Sequence, residues 1–145
     1  MKNQDMRFPE ALYYALKIRR KHPEFALCGS VALILAGRIP PRNVTDIDFV
    51  VCKSKISETT LLGLKIDESY NVIEKDGYKC YTINESGVFK YNLFVFENEE
   101  SVKIKLNSIK LLMQDTTQIL EWKQKFNRPK DKKDIRESKV QGVQF

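Results

Sequence analysis

Histidine is nearly absent from these 145 residues, with His22 alone, and the three cysteines, Cys28, Cys52 and Cys80, stand far apart with no CxxC pair. A structural zinc site therefore lacks ligands, and an odd cysteine count argues against a disulfide framework. Each cysteine sits in an apolar stretch, where it reads as a small buried hydrophobe. No apolar run reaches membrane length: the longest is Val31-Ala-Leu-Ile-Leu-Ala36. The opening MKNQDMRFPEALYYALKIRR is charged and has no apolar signal-peptide core, so a soluble, cytoplasmic chain without membrane contact is expected. Glycine and proline are sparse and form no linker, and no repeat or low-complexity tract divides the chain. One domain over residues 1–145 is the expectation.

What is present is an ordinary globular composition, 42% hydrophobic and 30% charged, with a net charge of +6. The positive excess is concentrated near the end, in Lys123, Lys125, Arg128, Lys130, Lys132, Lys133, Arg136 and Lys139. A polyanionic partner and a solvated lysine-rich surface both fit that charge.

Phe8-Pro9-Glu10 opens a helix running to about Lys21, with apolar residues 8, 12, 15 and 16 on one stripe, and segment 1–24 is an N-terminal helical unit. Phe25 to Cys28 reads as a buried strand, and Ser30 as the N-cap of a helix from Val31 to about Gly37. Ile47 to Cys52 is a β-branched second strand, and Ser57-Glu58 starts a short helix through Leu64. Strands over Tyr70 to Ile73, Tyr78 to Ile83 and Val88 to Phe96 are separated by Lys75-Asp76-Gly77 and Glu85-Ser86-Gly87 turns, which implies hairpins. One further strand or an irregular edge is expected within Val102 to Leu112. Asp115-Thr-Thr-Gln118 introduces a helix from Thr116 to Phe126 with Ile119, Leu120 and Trp122 turned inward, and Pro129 ends it. Lys130 to Glu137 is a last short helix, and 138–145 is expected to be a loose tail. The fold class is α+β: a mixed, mostly antiparallel sheet flanked by helices.

Three features follow one another: a strand, Gly29-Ser30 at a helix start, and Asp46-Ile47-Asp48 at the start of the next strand. A helix start presents free backbone N–H groups to a phosphate; Gly29 admits close approach and Ser30 adds a hydroxyl. Residues two apart on a strand share a face, so Asp46 and Asp48 project together as hard oxygen ligands for Mg²⁺ or Mn²⁺, with Ile47 turned to the core. By itself the acidic pair would equally well be a partner for Arg42. Charges such as Lys130/Asp134 and Lys133/Glu137 would likewise be no more than helix-stabilising pairs.

The segment FALCGSVALILAGRIPPRNVTDIDFVV resembles the signature of the DNA polymerase β-like nucleotidyltransferase superfamily. Arg42 and Thr45 are similar to the Arg and Thr that precede the DxD in its abortive-infection toxin branch. Lys123-Gln-Lys-Phe-Asn-Arg128-Pro-Lys-Asp131-Lys-Lys-Asp134 resembles a second segment of that branch, so the likeness spans residues 25 to 136. The resemblance implies a nucleotidyltransferase-like fold and transfer of a nucleoside monophosphate from a nucleoside triphosphate to a hydroxyl, with Asp46 and Asp48 as metal ligands. It implies nucleotide contacts at Gly29, Ser30, Arg42, Thr45, Lys123, Arg128, Lys130 and Asp131, with Asp134 beside them. The acceptor would be an RNA or a protein, and so short a domain leaves its capture to a partner subunit. One position departs from the family. Where a third carboxylate serves as base, this chain has Asn92, whose amide takes no proton at neutral pH. Glu97 lies on the opposite parity. Loss of a general base lowers a rate by roughly 10² to 10⁴, so a catalytically impaired protein that binds nucleotide or RNA, or regulates a partner, is the alternative.

Overall fold

A computed structural model describes residues 5–72 and 77–140. Ile73, the expected Lys75-Asp76 turn and residues 141–145 lie outside the described residues.

The first helix, α1, spans Phe8–Lys21, with proline in its first turn and Arg19, Arg20 and Lys21 in its last, charges that suit the helix ends. Its buried stripe is Ala11, Ala15 and Ile18. Leu16, expected on that stripe, faces out instead, because the helix presents its small alanines to the core. Strand β1 (Ala26–Cys28) leads directly into α2 (Gly29–Leu35). Cys28 is the N-cap residue and no side chain caps the helix, so Ser30 lies within the first turn rather than at its start.

The loop between α2 and β2 (Asp48–Cys52) is held at Val44, whose N–H and C=O exchange hydrogen bonds of 2.8 and 2.9 Å with Met6. A short helix α3 (Glu58–Leu62) is capped by Ser57 as the sequence indicates. Then follow β3 (Ile66–Val72), β4 (Tyr78–Glu85) and β5 (Phe89–Phe96). Where one strand or an irregular edge is expected over 102–112, there is a short strand β6 (Ile104–Leu106), and a second, β7 (Leu112–Gln114), starts at the end of that range. They are divided by a turn in which the Asn107 side-chain Oδ1 accepts from the Ile109 and Leu111 N–H groups and Lys110 adopts a φ of 62°.

Among the described residues seven strands form one sheet in the order β3-β4-β5-β2-β1-β7-β6. The β2/β5 and β1/β7 pairs are parallel and the other four antiparallel. The fold is α+β, as composition and patterning indicate. On β5, Phe89, Tyr91, Leu93 and Val95 are buried, while Lys90, Asn92 and Phe94 alternate onto the other, more open face.

Helix α4 (Thr116–Phe126) is capped by Asp115, which accepts from the Gln118 N–H, and it ends at Asn127 in the left-handed conformation with a φ of 56°. Helix α5 (Pro129–Val140) begins at Pro129, so that proline opens one helix rather than only ending another. The helix extends beyond residue 138, and Ser138 is buried, donating to the Ile135 carbonyl at 2.8 Å; the loose tail expected from 138 does not begin there. Helix α4 packs on both α2 and α5. No helix among the described residues is long and apolar enough to cross a membrane.

Candidate functional site

The sheet register places Asp48, while Asp46, expected on the same strand face, lies in the loop before β2, which begins only at Asp48. Cys28 on β1, Asp48 on β2 and Asn92 on β5 are mutual partners across the strands, and Thr82 on β4 continues the row. The Asn92 amide donates to Asp48 Oδ1 at 2.9 Å, and its carbonyl oxygen accepts from the Thr82 hydroxyl at 3.0 Å. Asn92 therefore presents a donor, not a base, to Asp48. Gly29 lies against the other carboxylate oxygen: a Cβ at this position would stand 2.3 Å from Asp48 Oδ2. Its φ of +70° also favours glycine. With α2 only seven residues long, the close approach of this backbone to Asp48 matters more than the helix dipole.

Burial, reinforced by the negative charge of Asp46, pushes the Asp48 carboxyl up to about 6, against the opposing hydrogen bond from Asn92 and the charges of Lys130 and Lys123. Asp46 is more open. It accepts a hydrogen bond from Lys130 Nζ at 2.9 Å, while Thr45 Oγ1 lies 3.4 Å from it. Burial raises the nearby Cys28 thiol well above its ordinary value and pushes Cys80 up to about 12, so neither is a thiolate nucleophile at neutral pH.

Behind this pair is a second, fully buried layer of charge. Asp131 and Asp134 lie three residues apart on α5, and neither reaches solvent. Lys123 Nζ, from α4, sits between them at 3.3 and 3.0 Å. Arg42, which the sequence offers as a partner for Asp46 and Asp48, instead binds Asp134 at 2.7 Å and donates to Ser30 Oγ at 3.0 Å. Ser30 in turn donates to Asp134 at 3.2 Å. Asp131 accepts from the Arg128 backbone N–H at 3.2 Å and from Arg128 Nε at 2.7 Å. Burial alone would raise the Asp131 carboxyl, but the Arg128 hydrogen bond and the Lys123 charge outweigh it and hold it below the ordinary carboxylate range. The helix pair anticipated between Lys130 and Asp134 does not form: Lys130 reaches across to Asp46, and Asp134 turns inward. The weaker Lys133–Glu137 contact is present at 3.8 Å.

The two layers enclose a polar cavity of about 170 Å³. Asp48 and Asn92 contribute from the sheet, Ser30 from α2, Arg42, Thr45 and Asp46 from the loop before β2, and Lys123, Arg128 and Lys130 from α4, α5 and the turn between them. Gly29 lines the adjoining larger cavity, of about 390 Å³. Asp131, expected to contact ligand, lines neither cavity; it is a positioning residue that holds Lys123 and Arg128 in place. Among the described residues no group of three or more His, Cys, Asp or Glu side chains could hold a metal ion.

Several lining residues are not among those the sequence singles out. Phe94 shares the parity of Asn92 on β5, so strand alternation alone would have found it. Gln114 enters through the pairing of β7 with β1, a long-range parallel contact with no local signature. Trp122, expected in the core, is half-buried: it stacks on Phe96 with ring centroids 5.1 Å apart and also lines the larger cavity. No protein-family profile matches the chain, and no curated protein matches it.

Proposed function

We propose that the chain is a nucleotidyltransferase that moves a nucleoside monophosphate from a nucleoside triphosphate onto a hydroxyl of an RNA or protein acceptor, with Mg²⁺ or Mn²⁺. The observation that carries this reading is the polar cavity in which Asp46 and Asp48 face Arg42, Lys123, Arg128 and Lys130. An acidic pair alone suits a cation and a basic cluster alone suits an anion. Both in one cavity suit a metal–triphosphate complex, and the order β1, Gly29-Ser30, α2, carboxylates at β2 supports a nucleotidyltransferase-like fold.

The residues fit the ion in a particular way. Mg²⁺ is commonly bound by one or two carboxylates, with water and substrate phosphates completing its shell. Asp46 and Asp48 would hold it; the Asp48 carboxyl is raised by burial first and by the charge of Asp46 second, and a bound cation would offset both. When bound, the ion supplies charge neutralisation and polarises the phosphoryl group. The chain's own residues do the remainder. Lys123, Arg128, Lys130 and Arg42 offset phosphate charge, Asn92 fixes the rotamer of Asp48, and Gly29 leaves room for that carboxylate.

A second reading is favoured by one contact. Asn92 presents an amide donor to Asp48, and among the described residues the cavity's lining holds no carboxylate besides Asp46 and Asp48 to accept the acceptor's proton, so a protein that binds nucleotide without turnover follows from the same cavity. Incubation with labelled nucleoside triphosphates, Mg²⁺ and cellular RNA or protein tests both. Transfer that disappears in Asp46→Ala and Asp48→Ala and rises in Asn92→Asp supports the enzyme. Calorimetric binding without transfer supports the binding protein. Neither binding nor transfer defeats both readings.

A further inference from the structure

The larger cavity adjoins the polar one and shares Asp48, Phe94, Lys123 and Arg128 with it. Its character is different. Tyr78, Phe94, Phe96, Trp122 and Phe126 give it aromatic walls. Tyr78 lies against Phe96 at 5.0 Å and against Phe94 at 5.5 Å between ring centroids, and the Arg128 guanidinium stands 5.3 Å over the Phe126 ring. A hydrocarbon core would close such surfaces on one another; here they border about 390 Å³ of open space next to a charged cavity.

One polar group is out of place among them. Gln114 is 1% exposed, and its side-chain carbonyl oxygen has no hydrogen-bond partner. The direction of that amide is determined by its neighbours. The Lys103 N–H donates to Gln118 Oε1 at 2.8 Å, and Gln118 Nε2 donates to the Ser101 carbonyl at 3.2 Å, so Gln118 can be oriented only one way. Gln118 Oε1 then requires a donor from Gln114, which supplies Nε2 at 2.9 Å. The Gln114 oxygen is thereby left as a buried acceptor on a residue that lines the aromatic cavity. A buried acceptor without a partner is costly, and a ligand N–H removes that cost.

We infer that the aromatic cavity receives the base of the nucleotide, and that Gln114 selects a base bearing an exocyclic amine, adenine foremost, over one with a carbonyl in the same place. The inference rests on the proposed nucleotidyl-transfer reading and deepens it. Flat aromatic walls stack any base; the carbonyl of Gln114 discriminates, because an amine donates to it while a base carbonyl opposes it as a second acceptor. With the base there, the triphosphate extends past Asp48, Lys123 and Arg128, the charged residues common to both cavities, toward Lys130 and Arg42.

Adenosine and inosine triphosphates differ at the 6-position, amine against carbonyl, and at the neighbouring N1, an acceptor in adenine and an N–H in hypoxanthine. Trp122 is the sole tryptophan of the chain, so its fluorescence reports directly on the cavity. Adding ATP with Mg²⁺ quenches Trp122, and ITP binds on the order of 10-fold or more weakly, as expected when a buried acceptor is left opposed. In Gln114→Leu the two nucleotides bind alike. Equal affinity of ATP and ITP for the native protein overturns the inference, and so does ATP binding that leaves Trp122 fluorescence unchanged. The native ATP/ITP comparison decides even if Gln114→Leu fails to fold. Tripolyphosphate with Mg²⁺, followed by calorimetry, reads the polar cavity alone. Its binding together with equal ATP and ITP affinities defeats the base assignment while sparing the proposed function; failure of tripolyphosphate and both nucleotides to bind defeats both.

Discussion

Asp48 and Asn92 stand opposite one another on parallel strands, and the Asn92 amide donates to Asp48 Oδ1 over 2.9 Å. The contact opposes the ionisation cost of Asp48 without cancelling it, since that carboxyl is still pushed up to about 6, chiefly by burial and then by Asp46. The folded value lies above the ordinary 3.8, so the folded chain holds this proton more tightly than the unfolded one. Stability from Asp48 is therefore fully present below the unfolded value and is lost as pH rises through about 6. The loss amounts to about 3 kcal/mol at most. Asp48→Asn, which has no such proton to lose, melts higher than the native protein at pH 8, and the difference shrinks toward pH 4. Thermal melts of both proteins across that range check the sign, and a native protein no less stable than the variant at pH 8 contradicts it.

The same carboxyl links protons to cations. Below about 6 Asp48 is protonated and competes poorly for a divalent ion, so Mg²⁺-dependent nucleotide affinity rises as pH increases through that value. Calorimetric titrations of ATP with Mg²⁺ at pH 5 and pH 8 measure it. Asn92→Asp adds a second acid next to the first, steepens this pH dependence and lowers stability without Mg²⁺. A flat affinity profile in the native protein removes Asp48 from the metal site.

Gly29 and Gly37 form a matched pair of tests. Both have positive φ, +70° and +75°, so alanine at either incurs roughly 1–2 kcal/mol of backbone strain. Only at Gly29 does the new Cβ meet something, Asp48 Oδ2 at 2.3 Å, whereas at Gly37 nothing lies within 4 Å. Gly37→Ala is expected to lower the melting temperature and keep Mg²⁺-dependent nucleotide binding. Gly29→Ala lowers it further and abolishes that binding by displacing Asp48. Equal binding by the two variants shows that Gly29 serves the turn alone.

The contrast between Ser30 and Asp48 shows what local sequence can report. The short spacing of Asp46 and Asp48 is a local property and is legible before any coordinates. Asp46 nevertheless stands in the loop before β2, so strand parity does not place it, and Asn92 reaches Asp48 only through the long-range parallel pairing of β2 with β5. The hairpin at Ser86-Gly87, the Asp115 cap and the inward Ile47 are legible as local properties too. Ser30 looks like an N-cap because nothing nearby reveals that Cys28 carries the chain into the helix. Its actual partners, Arg42 and Asp134, are 12 and 104 positions away, and only the packing of α5 on α4 supplies the second. By spacing alone Asp134 reads as a helix-surface partner of Lys130 for that reason, and only the family resemblance turns it and Asp131 toward the site; Gln114 carries no local signal because its role depends on β7 reaching β1.

Lys123 and Lys130 are both expected at the phosphates, yet their surroundings predict opposite behaviour. Lys123 is buried between Asp131 and Asp134, whereas Lys130 is 42% exposed and bonded to the partly open Asp46. Removing one member of a buried charge cluster leaves the others uncompensated, a loss of about 3–5 kcal/mol. Arg128 still faces Asp131 and Arg42 still faces Asp134, which places Lys123→Met toward the lower end of that range. Lys130→Ala removes a surface pair that contributes under about 1 kcal/mol, so the fold survives. The variant instead loses a cation from the polar cavity and binds tripolyphosphate with Mg²⁺ more weakly than the native protein. Denaturant titrations paired with calorimetry separate the two outcomes. A stable Lys123→Met, or a Lys130→Ala that unfolds, would mean that α5 is not anchored through its buried aspartates.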